Sequence, residues 1–392
     1  MTESIRMGMV GGGAGAFIGP VHRLAADMTG QIELVAGAFS GDATDSRAFG
    51  SALGLASSRC YGTFAEMFAA ESSLPAAERI QCVSVVTPNN THAAISCAAL
   101  EAGIHVICDK PLAGTLEEAL HIEHAVGQSG LLFALTHTYT GYPLVVEARR
   151  RVQAGEIGAV RRVAVSYFQD WLSRAEDTTA SKQAAWRCDP ARSGESGAFA
   201  DIGTHAFNLV EFITGQQMTE IAAEMRKVMP DRAVDDDGAA MFRLSGGASG
   251  TLAASQVCSG AVNGLCIEVY GTRASIHWAQ EQPNTLTIRP RGEPDQVLRP
   301  GANVAYLSPE AAAMCRIPAG HPEGYLEAFA NLYVSFAGAV RAFPERIDAG
   351  YASIGDGVAA MRFIRAAIVS SLNNSAWTKL AGIENQSEEV AP

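Results

Sequence analysis

The chain has 392 residues, of which 48% are hydrophobic and only 18% charged, and 41 acidic against 29 basic residues give a net charge of −12. The length predicts two domains, and the composition excludes a disordered or coiled-coil chain, both of which are richer in charge. The acidic balance argues against a nucleic acid or an anionic membrane as partner, and no apolar run is long enough for a bilayer span.

From Ile5 onward the N-terminus reads as folded structure and not as a signal peptide, because glycines at 11, 12, 13 and 15 break its apolar stretch. Strands are predicted at Ile5–Val10, Ile32–Phe39, Cys82–Val86, His105–Cys108 and Leu131–Leu135. Most are aliphatic with little polar alternation, as strands buried on both faces require. Amphipathic stretches lie between them. Thr63 with Glu66, and Thr115 with Glu118, fit capping boxes, and Gly103 and Gly130 stand where helices need a left-handed end. Repeated βα units predict a Rossmann-type, doubly wound parallel sheet over residues 1–140.

The pattern changes near Tyr142. A helix is predicted at 143–154, an alternating strand at 160–169, and a polar loop from Leu172 to about Gly197. A helix follows, then strands at 221–228, 238–244, 250–257, 265–270, 274–278 and 285–289. Short turns between consecutive strands predict an open, mainly antiparallel sheet in an α+β domain, residues 141–392, for substrate binding and oligomerisation. Helices at 325–341 and 354–373 close the chain, and the polar tail 384–392 is expected to fray. The eight cysteines form no CxxC pair and sit mostly in apolar context. They predict reduced thiols in a cytoplasmic protein, without disulfides or a metal site.

Three constellations carry chemistry. Val10-Gly11-Gly12-Gly13-Ala14-Gly15-Ala16 follows the first strand, with Gly11, Gly13 and Ala16 at the GxGxxG positions and Phe17-Ile18 opening the helix. Such a turn lets backbone amides approach a pyrophosphate at a helix N-terminus. At the end of the second strand the usual carboxylate is missing. Ser40 can bond a ribose or a phosphate, Asp42 and Asp45 repel a 2′-phosphate, and Arg47 attracts one, so NAD is expected and NADP stays open. The second constellation is Asp109-Lys110-Pro111 at a strand end, where a doubly wound sheet binds ligands and a nicotinamide would lie. The third is Asp201-Ile202-Gly203-Thr204-His205, an i, i+4 pair bordering an apolar stripe of Ile202, Ala206, Leu209, Val210 and Ile213. An imidazole there can take a hydroxyl proton; a structural histidine with a helix-start aspartate is the bland alternative.

Together these motifs resemble the Gfo/Idh/MocA oxidoreductase family, over nearly the whole chain, with Asp109 where that family usually has Glu. Gly15–Gly19 with Val21-His22-Arg23, Tyr139–Pro143, Ala185-Trp186-Arg187 and His321–Tyr325 look like its sugar-oxidising branch. The resemblance implies that Lys110 stabilises developing negative charge on the reacting hydroxyl, that His205 is the acid/base, and that Asp201 holds an adjacent hydroxyl. It implies cofactor contacts from Thr87, Pro88, Asn89, His92, Asp109, Lys110, Trp186 and Arg187. It also implies substrate contacts from Tyr142, Arg187, His321 and Tyr325. The expected reaction is hydride transfer between nicotinamide and a ring secondary hydroxyl of a sugar, anhydrosugar or cyclic polyol. The ammonium from the front half and the imidazole from the back half are expected to meet over one dinucleotide ring. The rivals are an NAD-dependent glycoside hydrolase on the same fold, a dihydrodiol- or imine-type oxidoreductase, and a non-catalytic nucleotide-binding sensor. An alternating, exposed sheet face over Leu252–Tyr270 predicts a homodimer or homotetramer.

Overall fold

The computed structural model describes residues 3–174, 182–347 and 350–385. The chain divides into two compact units, one of Met1–His137 with Phe329–Val358, the other of Thr138–Ala328 with Ala359–Pro392. The long helix Tyr325–Ala342 therefore begins in the second unit and continues in the first.

In the first unit, β1 (Ile5–Gly11), α1 (Ile18–Thr29), β2 (Ile32–Ala38), α2 (Ala43–Ala52), α3 (Phe64–Ser73), β3 (Cys82–Val86), α4 (His92–Glu101), β4 (His105–Cys108), α5 (Leu116–Ser129) and β5 (Phe133–Leu135) follow one another. The five strands pair in parallel in the order β2-β1-β3-β4-β5. The order reverses between β1 and β3, which makes the carboxyl ends of those strands the place for a ligand. β3 and β4 are buried at every residue, as aliphatic strands covered on both faces must be. Thr115 and Glu118 form a complete capping box on α5. At α3 only half of the expected box forms: the Thr63 side chain accepts from the Glu66 amide, while the Glu66 carboxylate accepts from the Gly62 amide and pairs with Arg47. The glycines at 103 and 130 take left-handed φ values of 76° and 65°.

In the second unit a nine-stranded sheet runs in the order β13-β12-β11-β10-β6-β9-β8-β7-β14. The strands are β6 (Val160–Phe168), β7 (Met218–Arg226), β8 (Asp237–Leu244), β9 (Ser249–Ser255), β10 (Gly264–Gly271), β11 (Ala274–Ala279), β12 (Leu286–Pro290), β13 (Gln296–Leu298) and β14 (Thr378–Lys379). All neighbours are antiparallel except β6 and β9. Before the sheet comes α6 (Pro143–Gln153), its first turn opened by Pro143. The polar loop expected from Leu172 to Gly197 contains two short helices instead, Lys182–Arg187 and Pro190–Ser193, the latter capped by the Asp189 carboxylate on the Ala191 amide. Residues 175–181 of that loop, and 386–392 of the expected frayed tail, lie outside the described residues. The helix Pro309–Ala313 and the short strands β13 and β14 are too brief to show a periodic pattern.

The helix Thr204–Thr214 buries Ala206, Leu209, Val210 and Ile213 as expected, with Ile202 buried just before it, and ends at left-handed Gly215. Phe207 stacks on Phe363 at 4.9 Å. Burial of each such side chain contributes roughly 1.5–3 kcal/mol, which anchors the helix from its apolar side. Among the described residues, no helix is long and apolar enough to cross a membrane.

Candidate active site

In the first unit, the glycine turn closes against the neighbouring strand ends. The Gly13 amide donates to the Phe39 carbonyl at 3.1 Å just beyond β2. A Cβ on Gly13 would lie 2.5 Å from that oxygen, and one on Gly11, whose φ is 87°, would lie 2.7 Å from the Thr87 methyl. Only glycine lets the three strand ends approach so closely. α1 begins at Ile18 with neither a side-chain cap nor an acidic residue in its first turn. Its amides are therefore left to an anionic ligand, and the turn fits a dinucleotide pyrophosphate.

The end of β2 resolves the balance between Asp42 and Arg47. The Asp42 carboxylate caps α2, accepting from the Thr44 and Asp45 amides, each at 2.9 Å. The Asp42 amide donates to Ser40 Oγ at 3.2 Å. Arg47 Nη2 lies 2.8 Å from both carboxylate oxygens of Glu66, so its charge already has a partner that a 2′-phosphate would have to displace.

Beyond β3, Asn89 is buried, and His92 is held between two loops. Its Nδ1 meets the Pro111 carbonyl at 3.0 Å and its Nε2 meets the Thr87 carbonyl at 2.9 Å. His92 thus ties the Thr87 loop to the Asp109-Lys110-Pro111 turn inside the protein. The Lys110–Pro111 peptide is cis. Thr136 Oγ1 donates to Asp109 Oδ1 at 2.7 Å. Burial opposes the charged form of Asp109, but His22, then Lys110 and Thr136, outweigh it and hold the carboxyl well below the usual range. The neighbouring His137 is pushed down to about 3, by burial first and by the Lys110 charge second, so it stands neutral beside the ammonium. No sequence pattern pointed to His137; its place just beyond β5 is the signal that could have found it.

In the second unit, Asp201 and His205 do not share one regular α-helix. Phe199–Gly203 is wound as a π-helix, and the α-helix proper starts at Thr204. The pair therefore straddles a change of winding, a wider turn of the kind frequently found at functional sites. Asp235 fixes where this run begins. It is 6% exposed, and its carboxylate accepts from Ser196 Oγ at 2.7 Å, the Gly197 amide at 2.7 Å and the Phe199 amide at 2.9 Å. Burial pushes the Asp235 carboxyl up against those hydrogen bonds.

Polar and aromatic groups surround the pair. Asp201 Oδ2 accepts from Gln256 Nε2 at 2.8 Å and lies 3.3 Å from Arg187 Nε. The Arg187 guanidinium stands 4.3 Å above the Trp186 ring and 5.7 Å above the Trp171 ring, a cation–π arrangement that fixes its plane. His205, 8% exposed, meets Tyr139 edge-on at 4.8 Å, with Tyr167 at 6.2 Å. The two tyrosine hydroxyls lie 2.5 Å apart, and Tyr167 donates to Asn263 Oδ1 at 2.6 Å. Tyr325 stands 6.4 Å from Tyr139. Tyr142 is buried, stacked on Tyr139 at 6.4 Å and tilted against Trp278 at 5.5 Å. His321 is exposed, and its Nδ1 meets the Pro318 carbonyl of its own turn at 3.2 Å. Tyr167, Asn263, Gln256 and Trp171 are the residues around the pair that sequence reasoning did not single out, whereas Tyr139 opens the Tyr139–Pro143 segment already noted. Gln256 could have been found from its place directly after β9, and the others lie too far from the motif in the chain.

The family model for an oxidoreductase family with an NAD-binding Rossmann fold, GFO/IDH/MocA, matches residues 5–137. The model for the GFO/IDH/MocA C-terminal domain matches residues 145–277. An uncharacterised oxidoreductase of Bacillus subtilis strain 168, YfiI, is 34% identical over 97% of this chain and 98% of its own. The chain belongs to the GFO/IDH/MocA oxidoreductase family. A crystal structure of an inositol dehydrogenase homolog from Azotobacter vinelandii, complexed with NADH and myo-inositol, is 36% identical, covers 96% of this chain and 98% of that one, and superposes with a TM-score of 0.88. Levoglucosan dehydrogenase of Pseudarthrobacter phenanthrenivorans is 29% identical over 59% of this chain and 63% of its own. Membership makes this GFO/IDH/MocA chain an oxidoreductase and its N-terminal sheet an NAD-binding Rossmann domain.

Proposed function

We propose that the protein oxidises a ring secondary hydroxyl of a cyclic polyol, sugar or anhydrosugar with NAD. NAD, when bound, accepts the hydride at its nicotinamide ring. His205 takes the proton of the reacting hydroxyl as the carbon–oxygen double bond forms. Lys110 stabilises the negative charge that develops on that oxygen, in the role a metal ion plays elsewhere. Asp201, oriented by Gln256 and Arg187, holds an adjacent hydroxyl. The observation that carries this reading is the environment of Asp201 and His205: carboxylate, amide and phenol groups interleaved with aromatic faces. A polyol needs both, because its hydroxyls require partners and its C–H faces stack on rings. The relatives named for inositol and levoglucosan support the same class.

The test incubates the protein with myo-inositol, levoglucosan and glucose, with NAD and NADP separately. NADH is expected to accumulate with NAD and at least one of these compounds, and NADPH to accumulate more slowly with NADP because Arg47 is engaged by Glu66. A glycoside hydrolase that uses held NAD transiently would release sugar without accumulating NADH, and a sensor would bind NAD and turn nothing over.

The oligomeric part of the reading is a second copy on the open face of the nine-stranded sheet. Ala164, Ser166, Ala239, Thr251 and Ala253 line a shallow hollow there, with Met241 53% exposed beside them. Small side chains let two such faces approach closely. Sedimentation is expected to show at least a dimer, and Ala253→Arg is expected to shift it toward monomer; a wild-type monomer would refute this part.

A further inference from the structure

His22 on α1, Ser84 on β3 and Tyr333 on the Tyr325–Ala342 helix are polar side chains wholly enclosed in the first unit, each 0% exposed. They form a closed triangle. Tyr333 Oη lies 2.8 Å from His22 Nδ1, Ser84 Oγ lies 3.1 Å from the same nitrogen, and Tyr333 and Ser84 are 3.2 Å apart. The Phe329 ring covers the imidazole at 4.8 Å. Aliphatic side chains would fill this volume without the desolvation cost of three polar groups, so the triangle calls for a reason.

Donor counting sets its polarity. Tyr333 and Ser84 each bring one O–H, and both are used inside the triangle only when Nδ1 accepts, since a proton on Nδ1 would leave one of them with no acceptor there. That leaves the imidazole proton on Nε2, the nitrogen that faces Asp109 Oδ1 at 3.8 Å. This distance is beyond direct hydrogen bonding and within reach of a charge–dipole attraction. Thr136 Oγ1 donates to the same carboxylate oxygen at 2.7 Å. Lys110 is the next residue, and its charge acts on Asp109 and on the neutral His137. Two further titratable groups face the turn: His92, from α4, tied to its Pro111 carbonyl, and the buried Cys108 thiol next to Asp109.

We infer that His22 is a positioning residue: with Ser84 and Tyr333 fixing its tautomer, it keeps the Asp109 carboxylate charged and oriented, and Asp109 in turn holds the neighbouring Lys110 ammonium in place. The inference rests on the reading of Lys110 as the charge that stabilises the developing alkoxide. The side chain of Asp109 is short, and His22 with Thr136 supplies what fixes it.

The full chain is assayed with NAD and whichever of myo-inositol, levoglucosan and glucose it turns over, with NAD affinity measured separately. His22→Leu is expected to lower kcat by about 10- to 100-fold, leaving NAD affinity and KM within about twofold. His22→Gln, which keeps an N–H near the Nε2 position, is expected to recover most of the loss. Asp109→Asn is expected to lower kcat similarly, and the double variant to be no worse than the worse single one, because both break the same support. Losses that multiply, or an unchanged kcat in His22→Leu, would overturn the inference. Should His22→Leu fold poorly, Tyr333→Phe removes only the hydroxyl, and a several-fold fall in kcat is expected; no change there counts against the inference equally. Thermal unfolding runs the same His22 and Asp109 cycle without substrate: coupled losses are expected, and independent ones refute the contact. Lys110→Ala separates the two levels. Normal turnover in that variant defeats the reading of Lys110 itself, whereas its loss beside an unaffected His22→Leu defeats only the positioning role.

Discussion

Replacing Lys110 with alanine is expected to lower kcat by about 10²–10³-fold, the loss seen when a preorganised donor to a developing oxyanion is removed. NAD affinity is expected to stay within about threefold. The split follows from where the two tasks are placed in the first unit. The pyrophosphate is the work of the glycine turn and the uncapped start of α1, which depend on backbone amides and not on the ammonium. Lys110 has its own setting: Asp109 is kept ionised next to it, and His137 is kept neutral by burial. An arginine is expected to rescue little, because a planar guanidinium cannot replace a compact ammonium presented from the Pro111 turn. Steady-state kinetics with a nucleotide titration checks both halves of this prediction.

The second large effect is expected at His205. His205→Asn keeps much of the volume of a side chain that is 8% exposed but removes the proton acceptor, and kcat is expected to fall by about 10²–10⁴-fold. The apolar stripe from Ile202 to Ile213 and the Asp235 cap are untouched, so the cost in stability is expected to be about 1 kcal/mol. Asp201→Asn should behave differently. It unpairs Arg187 and weakens the hold on the adjacent hydroxyl, so it is expected to raise KM more than it lowers kcat. A His205→Asn variant with near-normal kcat would remove the imidazole from the chemistry.

The strands of the parallel sheet were legible because a doubly covered strand has to be aliphatic: β3 and β4 fall at the expected residues. The glycine turn was legible because close backbone approach tolerates no side chain at Gly13. The contribution of 329–358 to the first unit was not legible, since the periodic pattern of the Tyr325–Ala342 helix says that it buries a face and not against what. The acidic run Asp235-Asp236-Asp237 is misleading in sequence. Two of its members are buried and organise backbone, Asp235 at the start of the π-helix and Asp236 on the Val228 and Met229 amides. The π winding at 199–203 leaves no mark in a hydrophobic pattern, so Asp201 and His205 were found by spacing while their local geometry was not. Arg47 shows the opposite limit. Its charge was visible, but Glu66, 19 residues away, decides what that charge is available for.

The reaction can be followed atom by atom with whichever of myo-inositol, levoglucosan and glucose gives NADH, carrying deuterium on its ring carbons and incubated with NAD and the wild-type protein. The account predicts one deuterium at C4 of the nicotinamide for each NADH formed, with a matching ring ketone. NADH without the label, or labelled substrate left intact while NAD stays bound, would contradict it.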